Sequence, residues 1–292
     1  MRNRKQLAIL SHAERQVRRS PLLLVCAGLL TATVAQCQLV DEYNPPRGNC
    51  CLAGSAKSLA DQLQDWDQID RYHAANVELK KQAADPKRVV FMGDSITDFW
   101  RLADSFPDKP YVNRGIGGQT TSQMVVRMYP DVVDLQPAAV VILAGTNDIA
   151  RNTGPETAEM VEDNLMAMTD LAQRNGIKVV LCSIIPVSDY PFLAPQQQSA
   201  QAGRGGTGAG GRGMVRLRMT DQHPPEQILK LNAWIKEYAA KAGTVYADYF
   251  SALVDDKGWL KDGISADGLH PNTDGYTIMA PIVNAALAKA LP

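Results

Sequence analysis

Four short polar segments carry the residue types that an acyl-transfer site requires: a nucleophile, a base, a carboxylate that orients the base, and donors for an oxyanion. In chain order they are residues 93–97 (GDSIT), 113–120 (NRGIGGQT), 145–148 (GTND) and 267–271 (DGLHP). Each segment alone has an ordinary structural explanation. Their combination in one chain predicts chemistry.

Ser95 and His270 are the candidate nucleophile and base. Ser95 follows the apolar run 89–92, so we expect its hydroxyl at a strand end, where N–H groups of a following helix can stabilise negative charge. A serine there could equally be a helix N-cap. The G-x-S-x-G elbow of α/β-hydrolases is absent, because Thr97 replaces its last glycine. Asp267 can bring its carboxylate to Nδ1–H of His270 and leave Nε2 free as a base, although an isolated Asp-x-x-His is typical of a polar loop.

The two other segments offer hydrogen-bond donors. Residues 115–118 include three glycines, which let backbone amides approach a ligand closely. A phosphate or dinucleotide loop is the competing interpretation, but the Walker lysine and the full G-x-G-x-x-G spacing are missing. Asn147 follows a second apolar run and can direct its side-chain amide into a crevice, with a simple polar turn as the alternative.

Short apolar runs alternate with amphipathic stretches along the chain. The pattern predicts strands at 89–92, 111–113, 138–144, 177–185 and 244–246, and helices at about 57–84, 119–129, 156–174, 225–241 and 273–290. Such alternation predicts an α/β fold: a parallel sheet with helices on both faces and a ligand site at the carboxyl ends of its strands. The polar segments lie at those ends or just before a helix. His73 and His223 have no such setting, and we expect both at the surface.

The ordered set GDSIT, NRGIGGQTT, GTND and DGLHP resembles the signature blocks of the SGNH (GDSL) hydrolase family, and is most similar to its lysophospholipase-like and platelet-activating-factor-acetylhydrolase-like branches. The resemblance covers about residues 88–290 apart from a Gly-rich insertion. It implies a three-layer α/β/α sandwich with a five-stranded parallel sheet, a flavodoxin-like arrangement. It also implies the roles of five residues: Ser95 as nucleophile, His270 as base, Asp267 as its orienting group, and an oxyanion bound by the amides of Ser95 and Gly118 (or, in its place, the neighbouring Gly117) and the side chain of Asn147.

These expectations describe a serine esterase that hydrolyses carboxylic esters, short-chain acyl or acetyl esters including those on carbohydrates, through an acyl-enzyme. The mechanism needs no metal or organic cofactor, and no Cys/His spacing suggests a metal site. The alternatives are a lysophospholipase or thioesterase acting on lipid-like acyl substrates, and a non-catalytic carbohydrate-binding module on the same fold. The sequence identifies no substrate-binding residues; Trp100, Tyr111 and Tyr190 could line an entrance or simply pack.

The N-terminus is typical of a secretory signal. Residues 1–35 hold six basic residues and one acidic residue, an apolar run over 22–34, and small residues near its end. That run is short for a bilayer span, so we expect cleavage and export to the periplasm or the exterior, with an uncleaved anchor as the alternative. Outside residues 1–35, the 30 basic and 31 acidic residues of the chain fall to 24 and 30. This acidic body disfavours nucleic acid and stable membrane insertion after cleavage.

Composition also suggests the domain organisation. Residues 36–55 are rich in Pro, Gly and Asn and are predicted to be a linker, and residues 56–292 form one predicted hydrolase domain. Within that domain, residues 196–214 are Gly-rich and almost without apolar side chains. We expect a flexible surface insertion there, with a lid as the alternative.

The five cysteines favour structural rather than catalytic roles. In an oxidising compartment Cys37 could pair with Cys50 or Cys51. Gln36, directly before Cys37, disfavours lipid attachment there. Cys182 lies in an apolar run and is expected to be a buried thiol.

Overall fold

Five strands pair as one parallel sheet in the computed structural model, which describes residues 60, 63–83, 85–193 and 218–291. The strands are β1 Val89–Gly93, β2 Tyr111–Gly115, β3 Ala139–Leu143, β4 Lys178–Cys182 and β5 Val245–Ala247. Their order across the sheet is β2-β1-β3-β4-β5, and every neighbouring pair is parallel. The predicted α/β fold is confirmed, with the flavodoxin-like strand order.

Helices connect the strands and cover both faces of the sheet. The longer ones are α1 Asp70–Lys80, α7 Ala158–Arg174, α10 Pro225–Lys241 and α12 Thr273–Ala290. The short ones are α2 Ser95–Asp98, α3 Leu102–Ser105, α4 Thr121–Val126, α5 Met128–Asp131, α6 Thr146–Ile149, α8 Tyr190–Leu193, α9 Met219–Gln222 and α11 Tyr249–Leu253. Side-chain caps begin two of the long helices, Thr157 at α7 and Asn272 at α12.

The hydrophobic core has two halves, one on each face of the sheet. Alternate residues of β1 enter different halves: Phe91 packs with residues of α12, and Met92 packs with residues of α7 and α10. Every residue of β1 and β3 is buried, as expected for central parallel strands covered on both faces. Cys182 is 2% exposed in the half beside α12, so the prediction of a buried thiol is confirmed. This double burial makes the three-layer sandwich.

The described residues all belong to one compact unit, Lys57–Pro292. The predicted signal segment 1–35, linker 36–55 and insertion 196–214, together with Cys37, Cys50 and Cys51, lie outside the described residues. No helix in the described part of the chain combines the length and apolarity that a membrane crossing needs.

The helix predicted over 57–84 is interrupted by a turn. Among its described residues, 60, 63, 64 and 70–80 are helical, and Trp66, one of the residues that suggested the helix, lies in the turn and is 46% exposed. Two backbone carbonyls of the turn before α1 accept hydrogen bonds from distant glutamine side chains: Trp66 from Gln123 in α4, and Asp67 from Gln119 in the loop before α4. These bonds join the turn to α4 and to the loop before it.

Candidate active site

Ser95 lies where the sheet ends and a helical turn begins. It is the first residue of α2, two residues after β1, and only 8% exposed. Asp94 caps that turn by accepting a hydrogen bond from the N–H of Ile96 at 2.9 Å. Gly115, at the end of β2, lets α2 approach closely, since a Cβ there would lie 2.1 Å from the backbone nitrogen of Asp98. The serine hydroxyl is therefore held at the carboxyl edge of the sheet.

The loop before α12 brings His270 to Ser95. Nε2 of His270 lies 2.8 Å from Oγ of Ser95, and Nδ1 lies 2.6 Å from Oδ2 of Asp267. A carboxylate only accepts, so Nδ1 carries the proton and Nε2 is free to accept from the serine hydroxyl. The three side chains predicted to act together thus form one continuous hydrogen-bonded chain.

The carboxylate of Asp267 is held in its charged form. Its Oδ1 also accepts from the backbone N–H groups of Leu269 at 2.9 Å and His270 at 2.8 Å. Partial burial would raise the pKa of Asp267, but the hydrogen bonds from the His270 ring and from these backbone groups outweigh it and lower the pKa from 3.8 to about 2. The Asp267 side chain is therefore a carboxylate at neutral pH.

The shape of this loop depends on Gly268. Its φ is +85°, and a Cβ would lie 2.0 Å from the carbonyl oxygen of Ser188. The N–H of Ser188 donates to the carbonyl of Gly268 at 2.8 Å, so the loop rests directly on the segment that follows β4.

Gly118 and Asn147 lie between Ser95 and this loop in sequence, in the segments after β2 and β3. The N–H of Gly117 donates to Oδ2 of Asp98 at 3.2 Å, whereas the N–H of Gly118 has no acceptor among the described residues. Gly118, with φ +80°, is thus the glycine whose amide is available to a ligand. Nδ2 of Asn147 donates to the carbonyl of Gln119 at 3.0 Å and has a second N–H to offer.

Asp148 fastens these donor segments together. Its Oδ1 accepts from the N–H of Thr121 at 3.0 Å and from the Thr121 hydroxyl. Burial raises the pKa of Asp148 from 3.8 to about 7, which the hydrogen bonds from Thr121 oppose and nearby Glu156 reinforces. The start of α4 is thereby fixed to the segment that carries Asn147.

A buried arginine contacts the loop between β2 and α4, and nothing in the sequence had pointed to it. Arg127 is 0% exposed and forms an ion pair with Asp131 at 3.0 Å. It also donates to the Gln119 side chain and to the backbone carbonyls of Gly93 at 3.0 Å and Arg114 at 2.7 Å. The Arg127 side chain thus joins the ends of β1 and β2 to each other and to the loop between β2 and α4.

Helix α1 contacts the end of β2 and helix α2. The hydroxyl of Tyr72 donates to the carbonyl of Gly115. Arg71 lies 3.5 Å from Asp98, the residue that accepts from the N–H of Gly117. No local motif in residues 57–84 signals this role, because it depends on partners more than 25 residues away.

One expected surface residue is buried. His223 is 3% exposed, so the prediction that it lies at the surface is wrong, whereas His73 is exposed as expected. The ring of His223 packs under α9, with Nδ1 3.3 Å from the carbonyl of Met219. Burial lowers its pKa, an effect that this hydrogen bond opposes and His270 reinforces.

A cavity of about 520 Å³ lies beside the loop before α12, which carries His270. Phe99 and Pro271 belong to its wall, and the ring of Phe99 packs on that of His270 with centroids 5.1 Å apart. Trp100 both lines this cavity and packs edge-on against Phe91, so it fits each of its two suggested roles. In the described part of the chain, no group of three or more His, Cys, Asp or Glu side chains is arranged to hold a metal ion.

Comparison with known proteins agrees with this architecture. A crystal structure of a GDSL-like lipase from Bacteroides thetaiotaomicron is 34% identical and superposes with a TM-score of 0.63, covering 77% of this chain and 99% of its own. Esterase TesA of Pseudomonas aeruginosa is 33% identical over 124 residues, 38% of this chain and 60% of TesA. The uncharacterised lipoprotein YqeF of Bacillus subtilis is 35% identical over 79 residues, 26% of this chain and 32% of YqeF. The chain therefore spans less than two thirds of either curated relative.

The model of the GDSL-like lipase/acylhydrolase family matches residues 91–278, which include all four polar segments. The resemblance inferred from those segments is confirmed, and so is the fold that it implies. The chain belongs to the GDSL-like lipase/acylhydrolase family.

Proposed function

We propose that the chain is a serine esterase that hydrolyses carboxylic esters of short acyl groups, acetyl esters in particular, through an acyl-enzyme on Ser95. The observation that carries the proposal is the chain of two hydrogen bonds, 2.6 and 2.8 Å long, from Asp267 through His270 to Ser95. Such a chain lets an imidazole take the serine proton at neutral pH.

The reaction begins when Oγ of Ser95 attacks the ester carbonyl and its proton passes to Nε2 of His270. Asp267 stabilises the resulting imidazolium. The negative oxygen accepts hydrogen bonds from the amides of Ser95 and Gly118 and from the side chain of Asn147. Each such donor is typically worth about 3–4 kcal/mol of barrier.

Collapse of the intermediate breaks the ester C–O bond, and His270 gives its proton to the departing alcohol. A water molecule then loses a proton to Nε2 and attacks the acyl carbon. The acyl–Oγ bond breaks, the proton returns to Ser95, and a carboxylic acid leaves. Side chains and backbone amides of this protein, the ester and water supply every atom that these steps need.

Two observations bear on the substrate. The 520 Å³ cavity is not lined by Ser95 or His270, but its wall includes Phe99, whose ring packs on that of His270. Its polar groups, such as Arg101 and Asn272, would suit a polar alcohol better than a long lipid chain. The similarity to Esterase TesA supports ester hydrolysis in general. A carbohydrate acetyl ester met outside the cytoplasm fits both, and the signal-like residues 1–35 favour export.

A panel of substrates tests the proposal. Purified protein and its Ser95→Ala variant are assayed on p-nitrophenyl esters from acetate to palmitate, acetylated xylan, a lysophospholipid and an acyl thioester. We expect the highest kcat/KM on acetate esters and no turnover by the variant. Preference for palmitate, the lysophospholipid or the thioester would identify the lipid-directed alternative, and binding to xylan without any hydrolysis would identify a carbohydrate-binding module.

Export has its own test. Expression of the full chain in a bacterial host, followed by mass spectrometry of the periplasmic fraction, should give a protein that has lost about 35 N-terminal residues. A protein of full mass in the membrane fraction would instead identify an uncleaved anchor.

A further inference from the structure

Asn152 links the two segments that carry the proposed oxyanion donors. Its Nδ2 donates to the carbonyl of Gly118 at 3.1 Å and to Oδ1 of Asn147 at 2.9 Å. One short side chain thus bonds to the peptide that follows the amide of Gly118 and to the amide group of Asn147 itself. Asn152 lies outside the four polar segments.

These bonds fix which way both amide groups point. The carbonyls of Gly118 and Gln119 can only accept, so they require the NH₂ ends of Asn152 and Asn147, respectively, to face them. Oδ1 of Asn147 must then face Asn152, and the second N–H of Asn147 is the one left for a ligand. Without Asn152, the Asn147 amide would keep only its bond to Gln119.

The residue before Asn152 has an unfavourable backbone conformation. Arg151, directly before it, has φ +62°, a left-handed conformation that non-glycine residues seldom adopt. The N–H of Asn152 donates to the carbonyl of Asn147 at 3.0 Å, which brings the two asparagines together. Backbone of this kind persists where surrounding contacts enforce it, and it is common near active sites.

We propose that Asn152 is a positioning residue that sets the separation and orientation of the Gly118 and Asn147 donors, an inference that rests on the esterase function proposed above. It does not touch the reacting atoms. Its side chain is exposed, so its removal should affect the geometry of the site more than the stability of the fold. The effect should appear in transition-state binding and leave substrate binding unchanged.

A double-mutant cycle tests this inference. The variants are Asn152→Ala, Asn147→Ala, the pair together, and Asn152→Asp. The last keeps the shape of the side chain but places a carboxylate oxygen against two other acceptors, the Gly118 carbonyl and Oδ1 of Asn147. The matched control is Asn175→Ala, because Asn175 also donates from an exposed Nδ2 to a backbone carbonyl, that of Leu171, at the end of α7. The readouts are kcat and KM on p-nitrophenyl acetate, the rate of serine phosphonylation by a fluorophosphonate, and the melting temperature.

We expect Asn152→Ala to lower kcat and the phosphonylation rate roughly ten-fold, with KM unchanged, from the loss of two neutral hydrogen bonds. Asn152→Asp should lose more, and Asn175→Ala should match wild type. In the Asn147→Ala background, adding Asn152→Ala should cost only about two- to three-fold, the part transmitted through Gly118.

Three results would overturn the inference: unchanged kcat in Asn152→Ala, an equal loss with and without Asn147, or a loss that accompanies a lowered melting temperature and a raised KM. Wild-type turnover by Asn147→Ala would overturn both this inference and the oxyanion assignment on which it rests. A strong loss in Asn147→Ala with none in Asn152→Ala would overturn the positioning role alone and leave the esterase proposal intact.

Discussion

Asp94, next to the proposed nucleophile, is a fully buried carboxylate whose replacement by asparagine gives a pH-dependent test of the site. Oδ1 accepts from the N–H of Ile96 at 2.9 Å, and Oδ2 has no partner among the described residues. Burial raises the pKa of Asp94 from 3.8 to about 6, although that hydrogen bond and His270 oppose the change. The carboxyl group therefore ionises at lower pH in the unfolded chain than in the folded one. The contribution of Asp94 to the free energy of unfolding should therefore fall by up to about 3 kcal/mol between about pH 4 and about pH 6, and stay lower at higher pH.

Asparagine keeps the bond to Ile96 and caps a helix as well as aspartate does, but it cannot ionise. In urea titrations, the stability of Asp94→Asn relative to wild type should therefore rise by up to about 3 kcal/mol from about pH 4 to about pH 7. The matched control is Asp256→Asn, which makes the same substitution at an exposed position. A pH-independent difference for Asp94→Asn would refute the claim that burial perturbs this carboxylate.

Three further substitutions probe the loops around the site. Asp267→Asn should lower kcat on p-nitrophenyl acetate by roughly 10³- to 10⁴-fold, because the amide no longer selects the tautomer of His270 that can accept the serine proton; a loss below about ten-fold contradicts that role. Gly268→Ala should lower the free energy of unfolding by about 1–3 kcal/mol or more, since φ is +85° and the new Cβ has no room, and urea titration equal to wild type would disprove it. Tyr72→Phe removes the hydroxyl that donates to the Gly115 carbonyl and should lower kcat about three- to ten-fold at constant KM; unchanged kinetics would show that α1 does not position the loop.

The strands and the polar segments were predictable because their signals are local. β1 and β3 are continuous apolar runs buried at every position. In a parallel sheet such runs end at the same edge. Ser95 and Asn147 each follow one of these strands, so topology alone brings them close. The Asp-x-x-His spacing likewise predicted the contact between Asp267 and His270, because three residues of one loop suffice to make it.

The features that sequence analysis missed depend on contacts between distant segments. His223 is buried by packing that no spacing in its own segment encodes. Arg127 looks like an ordinary helical arginine, yet its partners include Gly93, 34 residues away. The turn before α1 has helical spacing in sequence, but the carbonyls of Trp66 and Asp67 accept hydrogen bonds from the distant side chains of Gln123 and Gln119. In each case contacts that the local sequence does not encode accompany the observed structure.

The stoichiometry and position of a covalent fluorophosphonate label test the central claim most directly. The proposed mechanism requires that Ser95, activated by His270, be the nucleophile. Intact-mass and peptide mass spectrometry should find one label per chain on the peptide that contains Ser95, no label on Ser95→Ala, and labelling of His270→Ala that is slowed by orders of magnitude. A label on another residue, or ester hydrolysis that persists in Ser95→Ala, would contradict the account.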